Sequence, residues 1–415
     1  MFSNAVSFSG PLAPAETLIT EEAAITWPGG AQPRVVTLAA EGGHVAQGAP
    51  VLALRDAPAI RLVAPMAGTV ARIVHAPGHR LSEAAVFADP SHGRHEHARP
   101  GADCSAGDLR RLVQGAGLWP QFLSRPYGRM PGESEVPDAI FVMVIDTRPG
   151  APRPMAAIAG REEAFSRGLL ALLALCAGPV FLCQATGEQP PADLPRDDRI
   201  RHLRARPVHP LGLPGFFMLR AFPAGHGRRV WDVNAEDVAA IGELLATGLV
   251  AETRLVSITG PALERPGTVR CQPGADLRAL TWRRVRPGPH RLMSGSALDG
   301  HPARWLGPRH RQVTVEPAPA GGVSRHWLLS ALRGASRPVP LIPTAALEHA
   351  LGGAVPGPPL LRAIASGDRE TAVRLGALSL LGEDLALADY ATAATPRLSS
   401  LLEALLARIA AEEAA

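Results

Sequence analysis

A glycine-punctuated strand phrase occurs twice near the start of the chain. It limits the N-terminal fold more than any other feature. The first copy reads Glu41-Gly42-Gly43-His44-Val45-Ala46-Gln47-Gly48-Ala49-Pro50-Val51-Leu52. The second runs from Ala64 through Met66, Gly68 and Val74 to Pro77-Gly78-His79-Arg80-Leu81. Apolar and polar positions alternate across residues 34–90, the period of half-buried strands, and the glycines fall where turns are needed. Val35-Val36-Thr37-Leu38 reads as a first strand. Two copies predict a small barrel-like sandwich with internal two-fold similarity.

This spacing resembles the biotinyl/lipoyl carrier fold, in which glycine turns flank a hairpin bearing a modified lysine. Here the hairpin falls near Ala57 to Arg61 and offers no lysine. The whole 415-residue chain has none, and all 42 basic residues are arginine. A swinging arm, a lysine Schiff base and a P-loop lysine are all excluded. Codon bias in a GC-rich genome accounts for the missing lysine and for the surplus of Ala, Pro and Gly.

With 46% hydrophobic and 19% charged residues, the chain can build more than one core, so wholesale disorder is excluded. Aromatics at 4% argue against carbohydrate- or base-stacking surfaces. The net charge of +4 is mild, but its distribution is uneven. From Arg265 to Arg311 there are ten arginines against two acids, Asp276 and Asp299. One basic face on one small domain fits a docking surface or an anionic partner, and equally a merely solvated face. Cys104, Cys176, Cys183 and Cys271 make no C-x-x-C pair, which argues against a cysteine-held cluster or zinc. Cys176 and Cys183 read as core. His92, His95 and His97 have metal-compatible spacing but lie in a polar stretch that reads as a solvated loop. The N-terminal stretch lacks the pattern of a secretory signal. The uncharged run from Gly168 to Gly187 is broken by Gly178-Pro179 and predicts helix, turn and strand rather than a membrane span. The expectation is a soluble, cytoplasmic chain.

Residues 91–117 read as a linker. From 137 to 250 the pattern is α/β. Ala139 to Asp146 predicts a strand buried on both faces, Glu162 to Cys176 a helix, and Val180 to Cys183, Arg199 to Arg204 and Val230 to Val233 further strands. Asn234 is the expected N-cap of a helix from Ala235 to Ala246, with Gly248 as its stop. Such alternation predicts a mostly parallel sheet. Arg254 to Thr259 and Thr268 to Cys271 read as a hairpin. A short helix from Asp276 to Leu280 and a strand from Arg291 to Ser294 complete a β-grasp arrangement. After Ser330 the pattern turns helical, ending in an amphipathic helix from Leu398 to Ala415.

Neither a G-x-S-x-G nor an H-E-x-x-H occurs. Gly115-Ala116-Gly117 lacks the third glycine of a dinucleotide fingerprint and precedes the first strand of its domain. The next stretch, Trp119 to Arg129, places three aromatics within nine residues, interleaved with Arg125 and Arg129. Rings plus directed donors suit a quinone, flavin or nucleobase. The same residues could equally tether a loop to the sheet edge.

That stretch resembles the A subunit of the Na⁺-translocating NADH:quinone reductase family. The resemblance rests on Gly117-Leu118-Trp119-Pro120 through Arg125-Pro126-Tyr127, then Ala139-Ile140-Phe141-Val142 with Asp146-Thr147, and Val230-Trp231 with Asn234 and Asp237-Val238. It continues through Ala240-Ile241-Gly242, Gly260-Pro261, Ser294-Gly295-Ser296 and Asp384-Leu385-Ala386-Leu387. The order of phrases extends over nearly the whole chain. The family usually carries cysteines after the last phrase, where this chain reads Ala388 to Thr395 without one.

The resemblance implies a multidomain α+β protein. Residues 1–103 would form a barrel-sandwich hybrid, 104–250 a Rossmann-like α/β domain, 251–310 a β-grasp domain of SLBB type, and 311–415 a largely helical region. It implies a cytoplasmic, peripheral subunit of a bacterial inner-membrane complex that passes electrons from NADH to ubiquinone and exports Na⁺. Flavins, the iron–sulfur centre and the NADH site would belong to partner subunits, with no redox centre, catalytic residue or metal here. Membrane association would run through those partners, chiefly a quinone-site membrane subunit, and no nucleic acid is expected. Trp119, Phe122, Arg125, Tyr127 and Arg129 are the candidate quinone contacts, with ubiquinone as substrate. Two alternatives stay open: a flavin- or NADH-binding subunit of the Rnf or complex I type, and a purely structural scaffold.

Overall fold

The computed structural model describes residues 15–27, 32–101, 104–318, 345–353, 356–393 and 395–413. The helical expectation just after Ser330 and the last two residues of the chain lie outside them.

Strand β1 (Glu16–Thr17) is followed by β2 (Glu22–Ile25), β3 (Val35–Thr37), β4 (His44–Val45), β5 (Pro50–Leu54), β6 (Arg61–Val63), β7 (Gly68–Ala76) and β8 (Arg80–Ala88). Two antiparallel sheets result, ordered β2-β8-β7-β4 and β3-β5-β6. Val51, Leu52, Ile60, Val70, Leu81 and Val86 form their buried core, β5 being buried at successive positions rather than alternate ones.

The expected linker over 91–117 is not one. Helix α1 (Ala106–Gly115) occupies its second half, because Ser105 and Asp108 form a reciprocal capping box that satisfies the first backbone donors. His97 is also buried, its Nε2 3.2 Å from Gly48 O, whereas the solvated-loop reading left it in water.

The second sheet contains β9 (Leu123–Arg125), β10 (Ala139–Met143), β11 (Val180–Ala185), β12 (Ile200–Ala205) and β13 (Val230–Asn234), in the order β12-β11-β10-β13-β9. Strands β10 to β13 are mutually parallel and β9 is an antiparallel edge. Helices α2 (Pro154–Ile158), α3 (Glu162–Leu175), α4 (Pro214–Ala221) and α5 (Ala235–Thr247) accompany it. Helices α3 and α5 approach through glycines: a Cβ on Gly242 would lie 1.8 Å from Ala164 O, and one on Gly168 2.0 Å from Val238 O. Gly248 ends α5 in the left-handed conformation.

The third sheet runs β1-β15-β14-β18-β16-β17, from β14 (Arg254–Thr259), β15 (Gly267–Cys271), β16 (His290–Ser294), β17 (His301–Pro302) and β18 (Gln312–Pro317). Helix α6 (Leu277–Thr281) is capped by Asp276. The sheet borrows β1 from the chain's start and β18 from beyond residue 310. Among the described residues, five α-helices and a 3-10 turn at Ala377–Ser379, between Ala345 and Glu413, pack Leu360, Leu378, Leu385, Leu402 and Leu406 with Leu213 and Phe216 into a separate apolar core.

Candidate functional site

In the second sheet the chain leaves β10 toward β11 and β12, then returns to β13 on the other side of β10. Such a switch point, at the carboxyl ends of parallel strands, is where open α/β sheets bind ligands. Here the crevice is filled by the protein itself. Strand β13 passes straight into α5, with Asn234 both last strand residue and N-cap, so no glycine-rich loop intervenes. The first turn of α5 carries Glu236 and Asp237, both buried. Arg311 reaches Asp237 Oδ1 and Oδ2 at 2.6 and 2.7 Å and Glu236 Oε2 at 3.1 Å. The loop after β10 is pinned to the third sheet: Ser257 Oγ donates to Gly150 O at 2.6 Å and Gln312 Nε2 to Pro149 O at 2.8 Å.

A chain of charges continues through the same region. Arg125 on β9 is fully buried. Its Nη1 donates to Asp384 Oδ2 at 2.8 Å and Ser379 O at 2.9 Å, and its Nη2 to Glu383 Oε1 at 3.0 Å, while Nε lies 3.5 Å from Asp232 Oδ2. Arg309 donates to Asp232 Oδ1 at 2.7 Å. Arg148 donates to Asp299 Oδ2 at 2.6 Å, Asp146 Oδ2 at 3.0 Å and Glu383. Five carboxylates thus meet three guanidiniums, drawn from the second sheet, the third sheet and the C-terminal helices.

Burial works against the charge of Arg125, but Asp384, Asp232 and Glu383 outweigh it and hold the guanidinium firmly protonated. Burial pushes the Asp384 and Asp146 carboxyls up, only partly countered by Arg125 and Arg148 respectively. Asp299 moves the other way: Arg148 and the Ser296 hydroxyl overcome its burial. His310 and His209, beside this network, are each lowered to about 4, chiefly by burial.

The five residues singled out in the sequence divide by depth. Trp119 and Phe122 have no exposed surface. Their rings lie 5.6 Å apart, and each is 5.3 Å from Trp231. Trp119 Nε1 donates to Pro131 O at 2.9 Å. Arg125 belongs to the charge network. Tyr127 is half-buried and Arg129 exposed, its guanidinium 5.6 Å from the Tyr127 ring. Burial and the neighbouring Glu413 push the Tyr127 hydroxyl up to about 12.

Behind the buried aromatics the same stretch lines a partly open cleft of about 120 Å³. Its walls come from Trp27 and Leu62 of the N-terminal sheets, Gly117, Leu118, Pro120 and Gln121 after α1, Ala240 of α5, and Arg254, Pro273 and Leu306 of the third unit. Gln121 is buried, and its Oε1 has no hydrogen-bond partner among the described residues. Arg254 has its guanidinium lowered to about 10 by burial and by Arg311. Gly115-Ala116-Gly117 therefore ends a helix beside a cleft instead of cradling a phosphate.

Comparison with known proteins decides the family. A model described as the second alpha/beta domain of NqrA matches residues 104–250, and one described as the NQRA C-terminal domain, of SLBB type, matches 255–304. The A subunit of a Na(+)-translocating NADH-quinone reductase from Pseudomonas aeruginosa is 34% identical over 402 residues, covering 89% of each chain. Proteins of the same name from Marinomonas sp. and Teredinibacter turnerae are each 30% identical, covering 85% of both chains in the first case, and 90% of this chain and 89% of the relative in the second. The chain belongs to the A-subunit family of the Na⁺-translocating NADH-quinone reductase.

For this family member the flavin- or NADH-binding alternative can be tested against the residues present. A dinucleotide phosphate at the switch point would face Glu236 and Asp237 and would have to displace Arg311. The residues do not fit such a group. Among the described residues, no group of three or more His, Cys, Asp or Glu could hold a metal ion, and no helix is long and apolar enough to cross a membrane.

The sequence left Arg148, Asp232, Asp299, Glu383 and Gln121 unassigned. The available signal was a charge inside an apolar strand, as in Val230-Trp231-Asp232-Val233. Such a charge must find a buried partner from elsewhere in the chain.

Proposed function

We propose that the chain serves a membrane-bound NADH:ubiquinone oxidoreductase that couples electron transfer to Na⁺ export. Its own contribution is assembly and the shaping of a quinone-reducing site against a membrane subunit. It sits on the cytoplasmic face of the inner membrane and carries no redox centre, the flavins and cluster residing in partner subunits. We further propose the four-unit division at 1–103, 104–250, 251–310 and 311–415. The N-terminal sheets form a barrel-sandwich hybrid, and strands from neighbouring segments complete the third unit.

The observation that carries the reading is similarity over nine-tenths of both chains to proteins bearing that name. The filled strand-end crevice supports it. The quinone role of the Trp119–Arg129 stretch divides along the same lines as burial. Arg129 offers an accessible group, while Tyr127, whose hydroxyl is buried, joins Trp119, Phe122 and Arg125 in holding the stretch in place. On its other side, Leu118 and Pro120 give the cleft an apolar wall for a quinone ring, and the unpaired Gln121 Oε1, an acceptor, suits a hydroxyl of the reduced quinol.

Co-purification of the tagged chain from native membranes tests the assignment. Recovery of NADH:quinone reductase subunits, and loss of Na⁺-dependent quinone reduction on deletion, are expected. A chain recovered alone, with activity intact in the deletion, overturns it.

A further inference from the structure

The ten arginines between Arg265 and Arg311 separate into two groups. Arg270, Arg284, Arg291, Arg304, Arg309 and Arg311 each form an ion pair, with Glu236, Glu16, Glu316, Glu22, Asp232 and Asp237 respectively. Arg265, Arg278, Arg283 and Arg286 are exposed, and none has an ion pair among the described residues. They gather at one end of the third unit. Arg278 and Trp282 lie four residues apart along α6 and its C-cap. Arg283 follows in a left-handed conformation. The backbones of Glu264 and Arg265 pair with Arg284 O, and Arg286 N donates to Ala262 O.

At the centre is Trp282, 73% exposed, the most exposed large apolar side chain among the described residues. No acid occurs between Asp276 and Asp299. Nearby, Asp276 caps α6 and Glu16 is taken by Arg284, leaving Glu264 as an exposed acid at the edge. The Arg286-Pro287-Gly288-Pro289-His290 turn projects outward: all five residues are exposed, and a Cβ on Gly288 would meet nothing within 4 Å.

We infer that this tip docks on an anionic phospholipid surface, with the Trp282 indole at the headgroup level and Arg265, Arg278, Arg283 and Arg286 on lipid phosphates. An indole has an apolar body and a polar edge, which suits the interface between acyl chains and water. Guanidiniums bind phosphate oxygens in pairs, and a basic cluster gains from the surface potential of anionic lipid. A projecting turn whose five residues are all exposed suits a yielding surface better than a rigid polypeptide partner. Contact of this kind is peripheral and needs no spanning helix. It is independent of the quinone reading.

Co-sedimentation of the full chain with phosphatidylcholine vesicles, with and without phosphatidylglycerol, tests the inference. Binding should require phosphatidylglycerol and disappear at high salt. Each arginine near the surface contributes about fivefold in partition, so Arg283→Gln/Arg286→Gln should weaken binding about 25-fold. Trp282→Ala should weaken it as well. Arg201→Gln/Arg204→Gln removes the same charge from exposed positions on β12 and should leave binding unchanged. Equal binding by wild type and Arg283→Gln/Arg286→Gln overturns the inference, as does wild type that ignores phosphatidylglycerol. If wild type ignores vesicles while Arg283→Gln/Arg286→Gln fails to co-purify with other subunits, the tip reads an acidic polypeptide and the lipid assignment falls.

Discussion

The α/β sheet meets its neighbours across two junctions built on opposite principles. Toward the C-terminal helices and part of the third sheet, Arg125, Arg148, Arg309 and Arg311 meet acids from several segments in close ionic contact. Toward the N-terminal sheets a largely apolar cleft stays open, bordered by Gln121, Arg161, Arg254 and the Glu236–Asp237 turn of α5. A buried ion network fixes relative position strongly but tolerates no loss of a partner. An apolar cleft gives up packing and keeps space. This chain therefore uses the usual α/β ligand crevice for cohesion and keeps an open cleft where the N-terminal sheets, the α/β sheet and the third unit meet.

The largest expected effect breaks the ionic side. Arg125→Ala strands Asp384 and Asp232 in the interior and should cost about 3–5 kcal/mol in denaturant unfolding. The double variant Arg125→Ala/Asp384→Asn should cost less than the two single losses added together. A cost below about 1 kcal/mol for Arg125→Ala would show that the network does not hold the units together.

Next is the helix pair that supports the cleft wall. In Gly242→Ala the new methyl meets Ala164 O, so α3 and α5 must separate. A loss of about 1–3 kcal/mol is expected by thermal denaturation. An unchanged melting temperature would mean that the contact yields freely.

Protonation sharpens the contrast. Burial lowers His310 to about 4, helped by His301 and Arg148 and opposed by Asp299 and Glu383. At pH 7 folded and unfolded chains both carry it neutral. Below about 6.5 the unfolded chain gains a proton that the folded chain refuses until about 4, so this group lowers stability across that window. The raised carboxyls of Asp384 and Asp146 act in the opposite sense. The readout is therefore a difference: His310→Gln should lose up to about 2 kcal/mol less than wild type between pH 7 and pH 5. Parallel pH profiles would contradict the assignment.

The smallest stability effect belongs to the cleft. Ala251 also lines the cleft, partly exposed before β14; Ala251→Leu adds bulk there and should stay within about 0.5 kcal/mol of wild type. Ubiquinone binding, followed by titration of the purified chain, should nevertheless weaken. Unaltered binding would move the quinone elsewhere.

Elements governed by local pattern were legible in the sequence. The buried strand at Ala139–Met143, the helix from Ala235 with its stop at Gly248, and the hairpin of β14 and β15 all follow from periodicity and caps. Helix α1 was missed because a polar, arginine-rich face hid its apolar stripe of Leu109, Leu112 and Val113, although Ser105 and Asp108 signalled its start. The site was less legible. Trp119 and Phe122 stood out as an aromatic cluster, yet whether a ring faces a ligand or a core depends on Trp231, more than a hundred residues away. Arg125 pairs with Asp384 across a still longer separation, which no local window can show.

The central claim is that this chain serves its complex through contacts and a cleft, with the strand-end crevice closed by its own charges. The absorption spectrum of the natively purified full chain tests it most directly. A protein band alone is predicted, with no chromophore released on denaturation. A stoichiometric flavin travelling with the chain would contradict it.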